Sequence, residues 1–125
     1  MLTTEFNHML SVETDDLPGV KIIHIVGECD SNTCPALSAE LRNASIAGRD
    51  VILDAHLLTY IDGDGVGSIV SAHEALVQNK RQLRIVGAHG TFSRILRLMQ
   101  GDAEIPMHET VDDAIRNLAN GKNAH

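Results

Sequence analysis

Tyr60-Ile61-Asp62-Gly63-Asp64-Gly65-Val66-Gly67 decides how the rest of the chain is read. A β-branched apolar run stands upstream of it. Downstream, Val66, Ile69, Val70, Leu76 and Val77 recur at helical spacing, with His73 partly on the same face. The stretch therefore reads as a loop between a buried strand and the strongest helix, running from 64 to about 79. Its glycines permit tight backbone turns and close approach by a partner. Asp64 is the expected N-cap, because a carboxylate there accepts the first free helix N–H groups and suits the positive end of the helix dipole. A cap accounts for Asp64 but leaves Asp62 and the glycines around it unexplained.

Upstream, Val51-Ile52-Leu53 reads as a short buried strand that closes on Asp54. Before it, residues 31–33 and Pro35 start a helix carried by Leu37, Leu41 and Ala44 and ended by Gly48. Residues 20–27 (VKIIHIVG) form a strong strand. The turn chemistry of Asp15-Asp16-Leu17-Pro18-Gly19 pairs it, as an antiparallel hairpin, with a weak strand over 7–14. Downstream, residues 83–86 (LRIV) are a further buried strand. Phe92, Ile95, Leu96 and Met99 mark a third helix stopped by Gly101, and 105–107 allows at most a short edge strand. Thr110 caps a last helix with Val111, Ala114, Ile115 and Leu118 inward, and 120–125 reads as a frayed tail. Strands alternating with helices imply an α/β fold: a mixed sheet of four to five strands covered by about four helices. One domain over 1–125, with a core of about 12–119, accommodates it.

Composition narrows the function. A net charge of −7 opposes a nucleic-acid grip, and 2% aromatics leave little to stack bases on. No apolar run approaches the ~20 residues of a membrane helix, and the start MLTTEFNHML lacks a secretory signal's basic flank and apolar stretch. The expectation is a cytoplasmic protein with no direct membrane insertion. Cys29 and Cys34 are the only cysteines and read as reduced, half-buried side chains. The histidines read as single packed or exposed residues.

Known site chemistries fit the loop poorly. A calcium loop would need a ligand where Val66 stands and a Glu where His73 stands. A phosphate cradle would need a Lys and a Ser or Thr after its glycines, and the aspartates would repel phosphate. A phosphorelay receiver would need two helices between Asp30 and Asp54, where one fits. No G-x-S-x-G is present. Binding is favoured over catalysis, with no catalytic residue, cofactor or metal expected.

An ordered set of motifs resembles the STAS domain, the module of anti-sigma factor antagonists and of sulphate transporter tails. Residues 20–27 followed by Glu28-Cys29-Asp30 are similar to its strand and G-E-x-D. Thr33 and Leu37 follow as at the start of its first helix, Val51-Ile52-Leu53-Asp54 resembles its central strand, and residues 58–67 resemble its D-S-x-G-[LIV]-G loop. Arg84-Ile85-Val86-Gly87, residues 95–101 and the last helix continue the pattern over about 12–119. The resemblance implies a non-enzymatic domain that binds an anti-sigma factor or a similar kinase-type regulator. It places the contact on Glu28, Asp30, Asp62, Gly63, Asp64, Gly65, Val66, Gly67 and Ser68.

The sequence departs from the family at the phospho-acceptor. Asp62, Gly65 and Gly67 match, but the acceptor position holds Gly63, which has no hydroxyl, and Asp64 follows. Either the partner is bound without phospho-control, or Asp64 imitates part of a phosphate's charge; the first is preferred. Ser68 and Thr59 are the hydroxyls that could substitute. The alternatives are a STAS subunit of a membrane transport assembly and a metal-dependent enzyme on Asp54, Asp62 and Asp64. A homodimer is left open. Lys80, Arg81, Arg84, Arg94 and Arg97 hold half the basic residues and raise the prospect of a basic patch opposite the acidic loop.

Overall fold

The computed structural model describes residues 9–99 and 105–123. Five strands and four helices follow in the order β1 (Leu10–Leu17), β2 (Val20–Cys29), α1 (Cys34–Ile46), β3 (Asp50–Ile61), α2 (Gly63–Gln78), β4 (Leu83–Val86), α3 (Gly90–Met99), β5 (Met107–His108) and α4 (Val111–Asn123). The strands lie side by side in chain order, the first pair antiparallel and the rest parallel. The expected mixed sheet with four helices is what forms.

The layering follows from the order. Parallel neighbours laid down in one direction by crossovers of one hand place every crossover helix on one face. α1, α2 and α3 accordingly share a core with that face, built from Ile23, Ile25, Leu53, Leu37, Ile69 and Leu96 among others. α4 follows the last strand, is bound by no crossover, and covers the opposite face. There Val111, Ala114, Ile115 and Leu118 pack on Val20, Ile22, Ile52 and Val86.

The hairpin turn falls at Pro18-Gly19, with Leu17 paired to Val20 and Gly19 at φ +74°. β1 thus keeps Asp15 and Asp16 in the strand instead of giving them to the turn. Positions 7 and 8 of the expected strand lie outside the described residues. α4 continues to Asn123, so the tail expected from 120 is helical up to there. Thr110 caps α4 as expected, its hydroxyl oxygen accepting the Asp113 N–H at 3.1 Å.

The largest departure is β3. It does not close on Asp54 but runs on to Ile61, and Tyr60-Ile61 belongs to it. Its buried positions Leu53, Ala55, Leu58 and Ile61 step by two and then by three. The register with β2 shifts between His24 and Val26 and again between Gly27 and Glu28. Each bulge inserts an extra β3 residue and breaks the period-two pattern that marks a strand in sequence.

Gly87, just past β4, sits at φ +75°, and a Cβ there would lie 2.6 Å from the His56 ring. Gly87→Ala is therefore expected to destabilise the domain by about 1–3 kcal/mol, from overpacking and left-handed strain together. Urea unfolding would measure it, and a neutral result would contradict the packing of His56 on β4.

Candidate functional site

The corner at the carboxyl ends of β2 and β3 is where the sequence motifs meet. Cys29 pairs with Ile61, and the Asp62 N–H donates to the Cys29 carbonyl at 3.2 Å. That bond sets Glu28-Cys29-Asp30 beside the start of α2, as expected from the order of the motifs.

Asp62, not Asp64, is the N-cap. Its backbone is extended, and its Oδ1 accepts the Gly65 N–H at 2.9 Å. The helix starts at Gly63, so Asp64 is exposed in the first turn, where its charge still meets the helix dipole. The supposed loop is thus one capping residue between strand and helix.

Asp30 has a related task. Its Oδ1 accepts the N–H groups of Asn32 at 2.9 Å and Thr33 at 3.1 Å. The Thr33 hydroxyl donates to the Glu28 carbonyl at 2.7 Å and accepts the Asp30 N–H at 2.9 Å. The entry to α1 is therefore fixed by side chains of the G-E-x-D motif itself.

The proposed contact residues divide by exposure. Gly63 and Asp64 are exposed, whereas Glu28, Asp30, Asp62, Gly67 and Ser68 are partly so. Gly65 and Val66 are buried, which corrects the expectation that they touch a partner. A Cβ on Gly65 would fall 2.7 Å from Ile61 Cγ1 and 2.8 Å from the Cys29 carbonyl oxygen. Gly65 therefore lets α2 settle onto the strand ends, and Val66 anchors its first turn in the core. At Gly63, by contrast, a Cβ would meet nothing within 4 Å.

Beside Gly63 and Asp64 runs a groove of about 670 Å³ between α1 and α2. Ser38, Arg42, Ser68 and Ser71 supply its polar lining, and Ile46 and Met99 its apolar rim. The Ser68 hydroxyl donates to the Asp64 carbonyl at 3.1 Å, an ordinary back-bond in a helix. Thr59 is exposed and its hydroxyl donates to the Gly27 carbonyl at 3.0 Å, across the second bulge.

Several expectations come apart in space. Asp54 lies in the middle of β3, held between His24 and His56 and away from Asp62 and Asp64. Among the described residues no three His, Cys, Asp or Glu side chains converge to hold a metal ion. The basic residues do not form one patch: Arg84 faces α4 and donates to Asn117 Oδ1 at 3.0 Å, while Arg94 and Arg97 are exposed on α3. Cys29 is fully buried rather than half-buried, and burial pushes its thiol up to about 12, so it is inert as a nucleophile. Cys34 is partly buried, and both thiols are free.

Sequence reasoning treated the histidines singly and missed that His24, Asp54 and His56 join one network. The signal was present: His24 shares a face with Ile22 on β2, and Asp54 and His56 are spaced i, i+2 on β3.

Five strands in chain order, three helices on one face and one on the other, and a capped helix rising from paired strand ends define a small α/β domain with an exposed acidic corner. The sequence matches the STAS domain over residues 11–114, and the chain belongs to that family. It is 29% identical over 90 residues to the anti-sigma-B factor antagonist of Staphylococcus aureus, covering 71% of this chain and 83% of that one. The fold is similar to an anti-sigma factor antagonist from Mycobacterium paratuberculosis, with a TM-score of 0.76 at 22% identity, over 88% of this chain and 94% of that one. It is similar also to part of the murine Solute Carrier 26 family member A9 anion transporter, with a TM-score of 0.76 at 10% identity, over 95% of this chain and 24% of the transporter.

Removing the cap tests the geometry of the corner. Asp62→Ala is expected to lower stability by about 1 kcal/mol, the usual cost of an N-cap carboxylate. Asp64→Ala is expected to change it by less than about 0.5 kcal/mol, as an exposed site should. Equal losses in chemical denaturation would show that the capping roles are assigned wrongly.

Proposed function

We propose that this STAS domain is a cytoplasmic partner-binding protein of the anti-sigma antagonist type, recognising a kinase-type anti-sigma factor or a similar regulator. The contact surface is Gly63, Asp64 and Ser68 with the adjoining groove, flanked by Glu28 and Asp30. Asp62, Gly65 and Val66 build that surface from beneath. The observation that carries the reading is the pairing of an exposed, fixed charge at the first turn of α2 with open space at the acceptor position. No chemistry between residues is needed for such a role, and the domain acts by binding rather than by catalysis. Among the described residues no helix is long and apolar enough to cross a membrane.

In relatives with a serine at the acceptor position, a phosphate adds roughly −1.5 to −2 charges there and breaks the interface by charge and bulk. Gly63 cannot take that phosphate. Asp64 contributes one charge, one residue away, on a side chain free to turn outward. This falls short of a phosphoserine in both charge and position, so the domain reads as constitutively competent to bind.

Gly63→Ser separates the readings. The site has room for the side chain, so the variant is expected to fold normally and to accept phosphate from a kinase-type anti-sigma partner, losing affinity for it once phosphorylated. Titration calorimetry of the unmodified protein against that partner should show binding, and Asp64→Ala should leave it within about threefold, as loss of one exposed charge does. Strong binding gained only in Asp64→Ala would mean that Asp64 holds the domain in a released state. Absence of binding in every form would refute the proposal.

A further inference from the structure

On the sheet face that carries α4, beyond the end of that helix's cover, four side chains from three strands form a continuous hydrogen-bonded chain. Asp15 Oδ2 lies 3.0 Å from His24 Nε2, and His24 Nδ1 lies 2.8 Å from Asp54 Oδ2. Asp54 Oδ1 lies 2.7 Å from His56 Nδ1 and also accepts the His56 backbone N–H at 3.1 Å. His56 Nε2 lies 2.9 Å from the carbonyl oxygen of Glu109, the residue before the cap of α4. β1, β2, β3 and the β5–α4 connection are thereby joined through two imidazole rings.

Each ring stands between two groups that only accept. Carboxylates flank His24, and a carboxylate and a carbonyl flank His56. A neutral imidazole carries one N–H and one bare lone pair, so it can satisfy one such neighbour and must repel the other. Only the doubly protonated ring fits both contacts. The first bulge of β3 and Gly87, packed flat against the His56 ring, hold the second ring in place.

We infer that His24 and His56 form a proton-operated clasp on Asp54: with both rings doubly protonated, it ties β1 and the β5–α4 connection to β3, and loss of one proton from each ring opens the two outer ties. The inner ties survive because Asp54 is the better acceptor for each ring. Its side chain is 18% exposed, against 69% for Asp15, which can turn into water. For His56 the choice lies between a carboxylate and a neutral carbonyl, and the ring keeps the proton that faces the carboxylate. The tie given up is therefore the one to Glu109.

The other charges around the clasp are few. Glu13 stands opposite His24 in the β1–β2 ladder. Beyond Gly87, β5 brings His108, whose own value is lowered by burial and by Arg84, against the pull of Asp113 from α4. Burial works against a charged His24, but its hydrogen bonds to Asp54 and Asp15 prevail and raise it above its ordinary 6.5. Burial likewise opposes a charged Asp54, and the contacts with His24 and His56 prevail and lower it below 3.8. His24's contribution is thus complete below its ordinary value and is lost as pH rises through the raised one. Asp54's contribution is complete above 3.8 and is lost as pH falls through the lowered one.

Nitrogen-15 spectra of the imidazole rings test the clasp directly. As pH rises through the raised value of His24, that ring should pass from two protons to one, left on Nδ1. A neutral His24 ring below that value, or a proton left on its Nε2 above it, would overturn the inference. Amide exchange at Asp113 and Ala114, corrected for its intrinsic pH dependence, should lose protection by about fivefold as pH rises, the factor for one hydrogen bond. His56→Gln should abolish that response and His24→Gln should leave it, and its persistence in His56→Gln would refute the connection to Glu109. Should His56→Gln fail to fold, Asp15→Asn serves instead. It is expected to lower the titration of His24, and a change in the exchange response at Ala114 would contradict two independent arms.

Discussion

The close seating of α2 on the ends of β2 and β3 governs the rest of the molecule. It depends on Gly65. The helix approaches until a Cβ at that position would stand inside contact distance of Ile61 and of the Cys29 carbonyl. That same carbonyl accepts the Asp62 N–H, so one strand end receives the chain and is covered by it within a few residues. Because Asp62 caps the helix immediately, no loop intervenes, and the exposed residues Gly63 and Asp64 inherit the rigidity of the sheet. The proposed contact surface, held this way, would cost little ordering entropy on binding, which is the advantage of placing it on regular elements instead of a long loop.

Much of this was legible in the sequence because local and global preferences agree. β2 is β-branched, α1 has Pro35 in its first turn, α4 has its Thr110 cap, and each forms where its residues favour it. Failures of the reading cluster in β3 and just after it. Asp54 and His56 interrupt the apolar run, and two bulges convert a period of two into steps of three, which imitate a helix face or a loop. The strand's true length is dictated by its neighbour: β2 is long and offers pairing partners as far as Cys29, so β3 is drawn out against it through both bulges. The same error displaced the cap by two residues. With the strand ended early, Asp64 was the acid nearest the helical pattern; with the strand extended to Ile61, Asp62 occupies the capping geometry.

The candidate site divides along similar lines. Motif order correctly brought Glu28 and Asp30 together with Asp62, because parallel neighbours bring their carboxyl ends to one edge. Which of those residues would face outward could not be read from types alone. Gly65 and Gly63 are the same residue two positions apart, yet one is demanded by contact and the other faces open space. Sequence likewise gave no means of seeing that Asp30 spends one carboxylate oxygen on the turn into α1, or that Arg84 is drawn to α4 and away from Arg94 and Arg97.

Two separate demands therefore meet in β3. At its carboxyl end the strand presents α2 and the acidic corner, where charge is fixed by an ordinary carboxylate. In its middle, the bulge turns His56 toward Gly87 and lets Asp54 bridge two rings. A regular strand could not do both: without the extra residues, Leu58 would fall out of phase with Ala55 and leave the core. The bulges reconcile a polar centre with an apolar end, and they keep the histidine network on the α4 face while α1 and α2 frame the groove on the other. A proton gained or lost at the network then acts on β1 and on the start of α4, whereas the corner at Gly65 stands at the far end of the strand, on the close packing of α2 against Ile61 and the Cys29 carbonyl.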